Sequence, residues 1–223
     1  MMHMHINFFN INEKINNNHS LLLVIENKKV LYNFLKELND SDSYGELIKV
    51  FDEKERQVKK DNHIDFIPSP FLVDINNKKN ISSLTKYIRN YYYEELKIQS
   101  KSINELIEGS FKKIRMDFQF SVNSEVSYNE EDLIKDMKIT FDCNINNLLE
   151  GIINYIKVTN ELRNIKCFIF YNLFDFLDID EIDLLLKNAA YLDIKIINIE
   201  NQDVNNPSFN KKYILDNDLC LIC

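Results

Sequence analysis

An α/β fold interrupted by a helical insertion is predicted by three observations in the sequence. Cys167 to Tyr171 is an apolar run with aromatic and β-branched members. It is too short for an ordinary helix and reads as a strand covered on both faces. Asp178 then opens a helix, with Glu181 three residues on as in a capping box. Ile182, Leu185, Leu186 and Ala189 follow at helical spacing, and Ile194 to Glu200 is a second buried strand. Strand, helix and strand within about 35 residues make a right-handed parallel crossover. The second observation is a matching pair near the start, the strand Leu21 to Ile25 followed by the helical spacing of Val30, Leu31, Phe34, Leu35 and Leu38. The third is a change to purely helical texture between residues 77 and 137.

The chain has 223 residues, 45% of them hydrophobic and 28% charged, enough for one large domain or a domain with an insertion. Three glycines and three prolines are very few, which argues against a glycine-rich phosphate loop. The net charge of −8 repels nucleic acid and anionic membrane in bulk, so any DNA contact needs a local basic surface. No apolar run approaches the roughly 20 residues of a membrane helix. The start, MMHMHINFFN, lacks the cationic and long apolar parts of a signal peptide. A cytoplasmic protein without a membrane partner is expected.

His3 to Phe9 reads as the first strand. His3 and His5 share its face at period two, but no other metal ligand stands nearby in sequence. Where a phosphate loop would follow Leu21 to Ile25, the residues are Glu26-Asn27-Lys28-Lys29, without glycine and without Gly-Lys-Ser/Thr. Lys28 and Lys29 make either a solvated turn or a basic patch. Glu26-x-Lys28 at a strand end also resembles half of a nuclease metal motif, though no upstream acid matches it. Asn39 to Gly45 is a polar loop, and Leu47 to Phe51 and His63 to Phe71 are further strands, with Pro68 and Pro70 suiting a sheet edge. Between them Lys54, Arg56, Lys59 and Lys60 form either an anion-facing ribbon or a solvated hairpin.

In the insertion, Asn80 or Ser82 starts a helix with Ile81, Leu84, Ile88, Tyr91 and Tyr92 on one apolar face. Tyr91 to Tyr93 are expected in the core rather than stacked on bases. Ser102-x-x-Glu105 reads as the capping box of the next helix, with Ile103, Ile107, Phe111, Ile114 and Phe118 on its stripe. Lys112 and Lys113 lie off that stripe. Ser121 to Tyr128 is a loop and Asn129 to Asp136 a short acidic helix. The α/β pattern resumes with a strand from Lys138 to Phe141, then a helix marked by Ile145, Leu148, Leu149, Ile152, Ile153 and Ile156. The domains are therefore an α/β head, residues 1–76 and 138–223, and a helical leg, residues 77–137.

Nucleotide hydrolases hold magnesium with acids after a strand such as Cys167 to Tyr171. Here the strand ends in Asn172, and Asp175, Asp178 and Asp180 read as loop and cap residues. Cys220-x-x-Cys223 lies in an apolar terminal strand whose alternation points the two side chains to opposite faces. With Cys143 and Cys167, these read as reduced, buried cysteines.

The strand LLLVIE without a phosphate loop, then LIKVFD, FLVDINN, CFIFYNLFDFLDIDEIDLL, IINIE and KYILDNDLCLI occur in one order along nearly the whole chain. In this order they resemble the Csn family of CRISPR-associated proteins, the small accessory subunit of type II-A spacer acquisition. Phe170-x-Asn172, Leu177-x-x-Asp180-Glu181 and Tyr213 to Asp216 are the most specific parts. The resemblance implies a degenerate P-loop, ABC-ATPase-like head without a Walker A loop, carrying an inserted α-helical leg domain. It implies a non-enzymatic homotetramer ring that binds double-stranded DNA ends during adaptation, alongside the CRISPR integrase complex and the guide-RNA nuclease. DNA would meet Lys28, Lys29, Lys54, Arg56, Lys59, Lys60, Lys112 and Lys113.

The resemblance also implies calcium near the hinge, held by Asp117, Gln119, and Glu125 or Glu130. Gln119 replaces an acid of the family pattern, and the insertion SVNSEVSYN separates it from Glu130. Calcium accepts six to eight oxygen ligands, amides included. Two other classes compete with the DNA-binding ring: a metal-dependent nuclease built on Glu26 and Lys28, and an ATPase-like scaffold that binds only protein.

Overall fold

The structure, a computed structural model, describes residues 2–9, 11–15, 19–40, 45–117, 127–142, 145–204 and 208–222. It divides into two compact units, Met1–Ile75 with Cys143–Cys223, and Asn76–Asp142. In chain order the elements are β1 (His3–Ile6), β2 (Ile11–Lys14), β3 (Leu21–Ile25), α1 (Lys28–Asn39), β4 (Ile48–Phe51), β5 (Gln57–Val58), β6 (Ile64–Ile67), α2 (Lys78–Tyr91), α3 (Tyr93–Asp117), α4 (Glu130–Asp136), α5 (Leu148–Arg163), β7 (Cys167–Tyr171), α6 (Ile179–Tyr191), β8 (Lys195–Glu200), β9 (Lys211–Leu215) and β10 (Leu221–Ile222).

The larger sheet of the head has the order β10-β9-β3-β8-β7-β6. From β9 to β6 neighbouring strands are parallel, and β10 turns back antiparallel on β9. The all-apolar run Leu21–Ile25 occupies a central position between β8 and β9, and every one of its side chains is buried. The crossover β7-α6-β8 is the one the sequence predicts. Its capping box is closed in both directions: the Glu181 amide donates to Asp178 Oδ1 at 2.8 Å, and the Asp178 amide donates to Glu181 Oε2 at 3.0 Å. Ile182, Leu185, Leu186 and Ala189 turn inward. Asn147 caps α5, and Asn164, in the left-handed region at φ 55°, ends it.

A second, antiparallel sheet, β2-β1-β4-β5, packs its apolar side chains into the same core. The strand expected from His3 to Phe9 stops at Ile6, because Asn7–Phe9 forms a 3-10 turn that folds β2 back onto β1. Glu13 on β2 is buried and joins the two sheets. Its carboxylate takes Lys195 Nζ at 3.0 Å and Lys211 Nζ at 2.5 Å. Burial pulls this carboxyl up, but the ammonium of Lys211 and then that of Lys195 outweigh it and hold it below its ordinary value. Gly45 stands before β4 at φ 65°. The Glu37 carboxylate beside it accepts the amides of Leu47 and Ile48 at 2.8 and 2.9 Å.

Several expected elements differ. The strand from His63 to Phe71 is only Ile64–Ile67, since Pro68 cannot donate to a ladder and Pro70 opens a 3-10 turn. Lys138 to Phe141 is not a strand; Lys138 takes φ 47° and the segment stays with the insertion.

In the insertion, α2 starts neither at Asn80 nor at Ser82. Asn77 caps it by accepting the amides of Lys79 and Asn80, and Asn80 is buried inside the helix. Ser102 does not open a helix either: it sits within α3, where its hydroxyl donates back to the Ile98 carbonyl at 3.1 Å. The small core of this unit is Leu96, Leu133 and Ile134, with Ile88, Ile103, Tyr128 and Ile139 against it. Tyr91, Tyr92 and Tyr93, expected in the core, are exposed. Cys167 is buried, and burial pushes its thiol up to about 12. Cys220, expected buried, is exposed, and Cys143 and Cys223 lie outside the described residues.

Candidate nucleic-acid interface

The carboxyl end of the parallel sheet is where α/β folds place ligands. Here β3 runs into Glu26-Asn27 and then α1. Asn27 Oδ1 accepts the amides of Lys29 and Val30, both at 3.2 Å, so the donors that a phosphate would use are occupied by the cap. Lys28 and Lys29 form the exposed first turn of α1. Glu26 is half-buried, and Asn217 Nδ2 donates to its Oε2 at 3.5 Å.

At the end of β7, Asn172 takes φ 55° and its amide group donates to Asp175 Oδ2 at 3.0 Å. Glu200 closes β8 and is buried. Burial pushes its carboxyl above the ordinary value and the Asp175 charge adds to that, against hydrogen bonds from Asn198 Nδ2 at 2.7 Å and the Phe174 amide at 3.2 Å. Asp178 is a cap and Asp175 a turn residue, as their spacing implied. Among the described residues no three His, Cys, Asp or Glu side chains gather to hold a metal ion. His3 instead stacks on Phe51, with ring centroids 5.2 Å apart, and its Nε2 is 3.5 Å from Glu55.

The charged ribbon is a hairpin whose turn joins β4 to β5. Asp52 accepts the Lys54 amide at 2.8 Å and the Arg56 amide at 3.0 Å, while Arg56 Nε and Nη2 reach its other oxygen at 2.9 and 2.7 Å. The amide and guanidinium of Arg56 hold the Asp52 carboxyl down at about 2. The Arg56 charge is therefore matched locally, whereas Lys54 and Lys59 are exposed. Lys60 departs from the expected ribbon. It is buried, its ammonium donates to the Asp40 carbonyl, and it faces the head rather than solvent. Lys112 and Lys113 are exposed on α3, in the other unit.

Of the expected calcium residues, Asp117 and Glu130 do not come together. Asp117 is the exposed last residue of α3, and Gln119 and Glu125 lie outside the described residues. Asn104 exchanges hydrogen bonds with the Tyr128 backbone, 2.8 Å in each direction, which fixes the approach to α4 beside the middle of α3. From there α4 runs back toward Leu96. At about 1.5 Å per residue, Asp117 lies on the order of 20 Å along the α3 axis from the level of Glu130. One ion with ligands at about 2.3–2.6 Å cannot hold both.

A family model described as CRISPR-associated protein (Cas_Csn2) matches residues 40–219. Among solved structures, that of Stu0660 of Streptococcus thermophilus is similar in fold, with TM-score 0.57 and 13% identity over 97% of this chain and 74% of that chain. A nucleotide-free ATP-binding cassette from an ABC transporter aligns with TM-score 0.45 and 12% identity over 97% of this chain and 88% of that chain. The ADP conformation of MJ1267, an ATP-binding cassette of an ABC transporter, aligns with TM-score 0.46 and 9% identity over 97% and 87%. No curated protein matches the chain.

Proposed function

The chain belongs to the family of CRISPR-associated proteins whose pattern spans residues 40–219, and on that premise we propose that it is a non-catalytic protein that binds double-stranded DNA at its ends during type II-A adaptation. In this reading it works as a homotetramer ring in the cytoplasm, with the integrase complex and the guide-RNA nuclease as partners. The observation that carries the non-catalytic part is the β3–α1 turn. A nucleotide hydrolase needs free backbone donors around the phosphates and a carboxylate on magnesium. Here Asn27 takes the donors and Asn172 stands where that carboxylate would.

An acidic chain holds duplex only through cations gathered on one surface. Lys28, Lys29, Lys54, Lys59, Lys112 and Lys113 are exposed and suited to phosphate contacts, which carry little sequence preference. A ring would repeat each of these cations in every subunit. Calcium belongs to the same reading only through Asp117 with Gln119 and Glu125, without Glu130.

Gel shift of linear against covalently closed duplex, with and without calcium, tests the proposal. Linear duplex should bind and closed circles should not. Equal binding to both would reject the threaded ring. Cleavage that stops on Glu26→Gln would favour the nuclease, and no binding to either DNA would favour the protein scaffold.

A further inference from the structure

In this acidic chain α2 has no acidic residue at all and carries Lys78, Lys79, Lys86 and Arg89. Beside these cations lies a run of exposed aromatics: Tyr87 at 47%, Tyr91 at 71%, Tyr92 at 53% and Tyr93 at 45% exposure. Tyr87 and Tyr91 stack on each other with centroids 4.4 Å apart, and Lys97 Nζ sits 5.8 Å over the Tyr93 ring. At about 100° per residue, Tyr91 falls on the inward stripe of Asn80, Leu84 and Ile88 but at the last position of the helix, and Tyr87 borders that stripe. Ser83 and Asn90 come next around the helix, then Lys79 and Lys86. Arg89 points to the other flank, where it pairs with Glu131 at 3.0 Å. The acids that follow α2 in the chain, Glu94 and Glu95, stand in the first turn of α3, where the helix dipole favours them.

From this surface we infer that α2 and its junction with α3 bind unpaired nucleotides of a DNA strand. The tyrosine rings extend the base stack, Ser83 and Asn90 offer polar contacts, and Lys79 and Lys86 meet the phosphates. Stacking rings beside a row of cations is how proteins hold single strands without reading their sequence. Exposed tyrosines also anchor protein partners, but a helix that carries cations and no acid of its own favours a polyanion. The inference rests on the duplex-end reading: an end that frays or carries an overhang supplies such nucleotides, and the insertion would hold them.

The test is fluorescence anisotropy with the full chain on three labelled DNAs, namely a blunt duplex, the same duplex with a thymidine overhang, and an oligothymidine strand. The overhang duplex should bind more tightly than the blunt one. Tyr87→Ser with Tyr91→Ser should remove that advantage, a loss of roughly 5- to 150-fold for each base no longer stacked. Blunt-duplex affinity should stay the same, and Tyr→Phe at both positions should keep the advantage. Equal binding of overhang and blunt duplex by the wild type, or an unchanged advantage in the Ser variant, overturns the inference. A Ser variant that changes only the oligomeric mass in light scattering also overturns it, since the patch then serves a protein. Tyrosine-dependent binding of oligothymidine without any blunt-duplex binding would sink the duplex reading and keep this one.

Discussion

Asn76 and Phe141, 65 residues apart in sequence, exchange two hydrogen bonds: the Phe141 amide donates to Asn76 Oδ1 at 2.7 Å, and Asn76 Nδ2 donates to the Phe141 carbonyl at 3.1 Å. One side chain thus ties together the two ends of the insertion, in the way a strand partner would. Asn76→Ala should cost about 1–3 kcal/mol, because both backbone groups lose their partner in a half-buried place. Asn76→Asp keeps the acceptor but sets a carboxylate against the Phe141 carbonyl, so it should not recover the loss. Faster amide exchange at Phe141 in native-state hydrogen exchange is the readout; unchanged exchange in both variants would show that the tie is dispensable.

Two buried head carboxylates, Glu13 and Glu200, should respond to acid in opposite senses. Glu13 is held below its ordinary value of 4.5, so it binds fewer protons folded than unfolded. Its stabilisation is complete above 4.5 and is lost as pH falls through its lowered folded value. Glu200 is pushed above 4.5, so its contribution is complete below 4.5 and is lost as pH rises through its raised folded value. Glu13→Gln should destabilise by about 3–5 kcal/mol at neutral pH, since it leaves Lys195 buried without its counter-charge. Glu200→Gln should stabilise the protein at neutral pH and remove the fall in stability on the alkaline side of 4.5. Urea melts from acid to neutral pH measure both; a parallel response of the two variants would refute the assignment.

Gly45→Ala should be costly for a reason of space as well as backbone. A Cβ there would stand 2.2 Å from the Ile48 carbonyl oxygen and 2.8 Å from Glu37 Oε1, at a φ of 65°. The left-handed conformation alone costs a side-chain-bearing residue about 1–3 kcal/mol. A lowered melting temperature checks this, and an unchanged one would mean the turn can open.

The hairpin cations should separate into two kinds. Lys54→Gln with Lys59→Gln should leave the melting temperature alone and flatten the salt dependence of duplex binding by about 0.9 in log–log slope for each phosphate no longer neutralised. Lys60→Met should do the reverse, costing about 1.5–3 kcal/mol of stability through the lost charge-assisted hydrogen bond to the Asp40 carbonyl while leaving the slope intact. Asp52→Asn frees the Arg56 guanidinium and should steepen the slope. A Lys60→Met slope as flat as that of the hairpin pair would place Lys60 on the DNA path.

Legibility in the sequence followed the range of the forces involved. The strands Leu21–Ile25 and Cys167–Tyr171 and the cap at Asp178 are readable to the residue, because burial on both faces and a reciprocal cap are local signals. The Ser102-x-x-Glu105 pattern misleads because good helix formers precede it, and nothing there breaks the helix that starts at Tyr93. Helical spacing marks Tyr91, but periodicity alone does not separate a ring in a core from one at its rim. The sequence favours a solvated Lys60 because lysine is rarely buried. Its place is set by the Asp40 carbonyl, 20 residues away. Whether Asp117 meets Glu130 depends on where Tyr128 docks on Asn104, which no spacing rule conveys.

The central position of β3, between β8 and β9, has a consequence for synthesis. Ser20 and Asn210, which are hydrogen-bonded beside its amino end, are 190 residues apart. At about 5–20 residues per second, a ribosome makes the second roughly 10–40 s after the first. For nearly all of that interval the five apolar side chains of β3 have neither neighbouring strand, while the insertion and the β1–β2 hairpin already have their local partners. The nascent head is therefore a waiting state with an unpaired apolar strand, closed only when the last strands of the chain arrive.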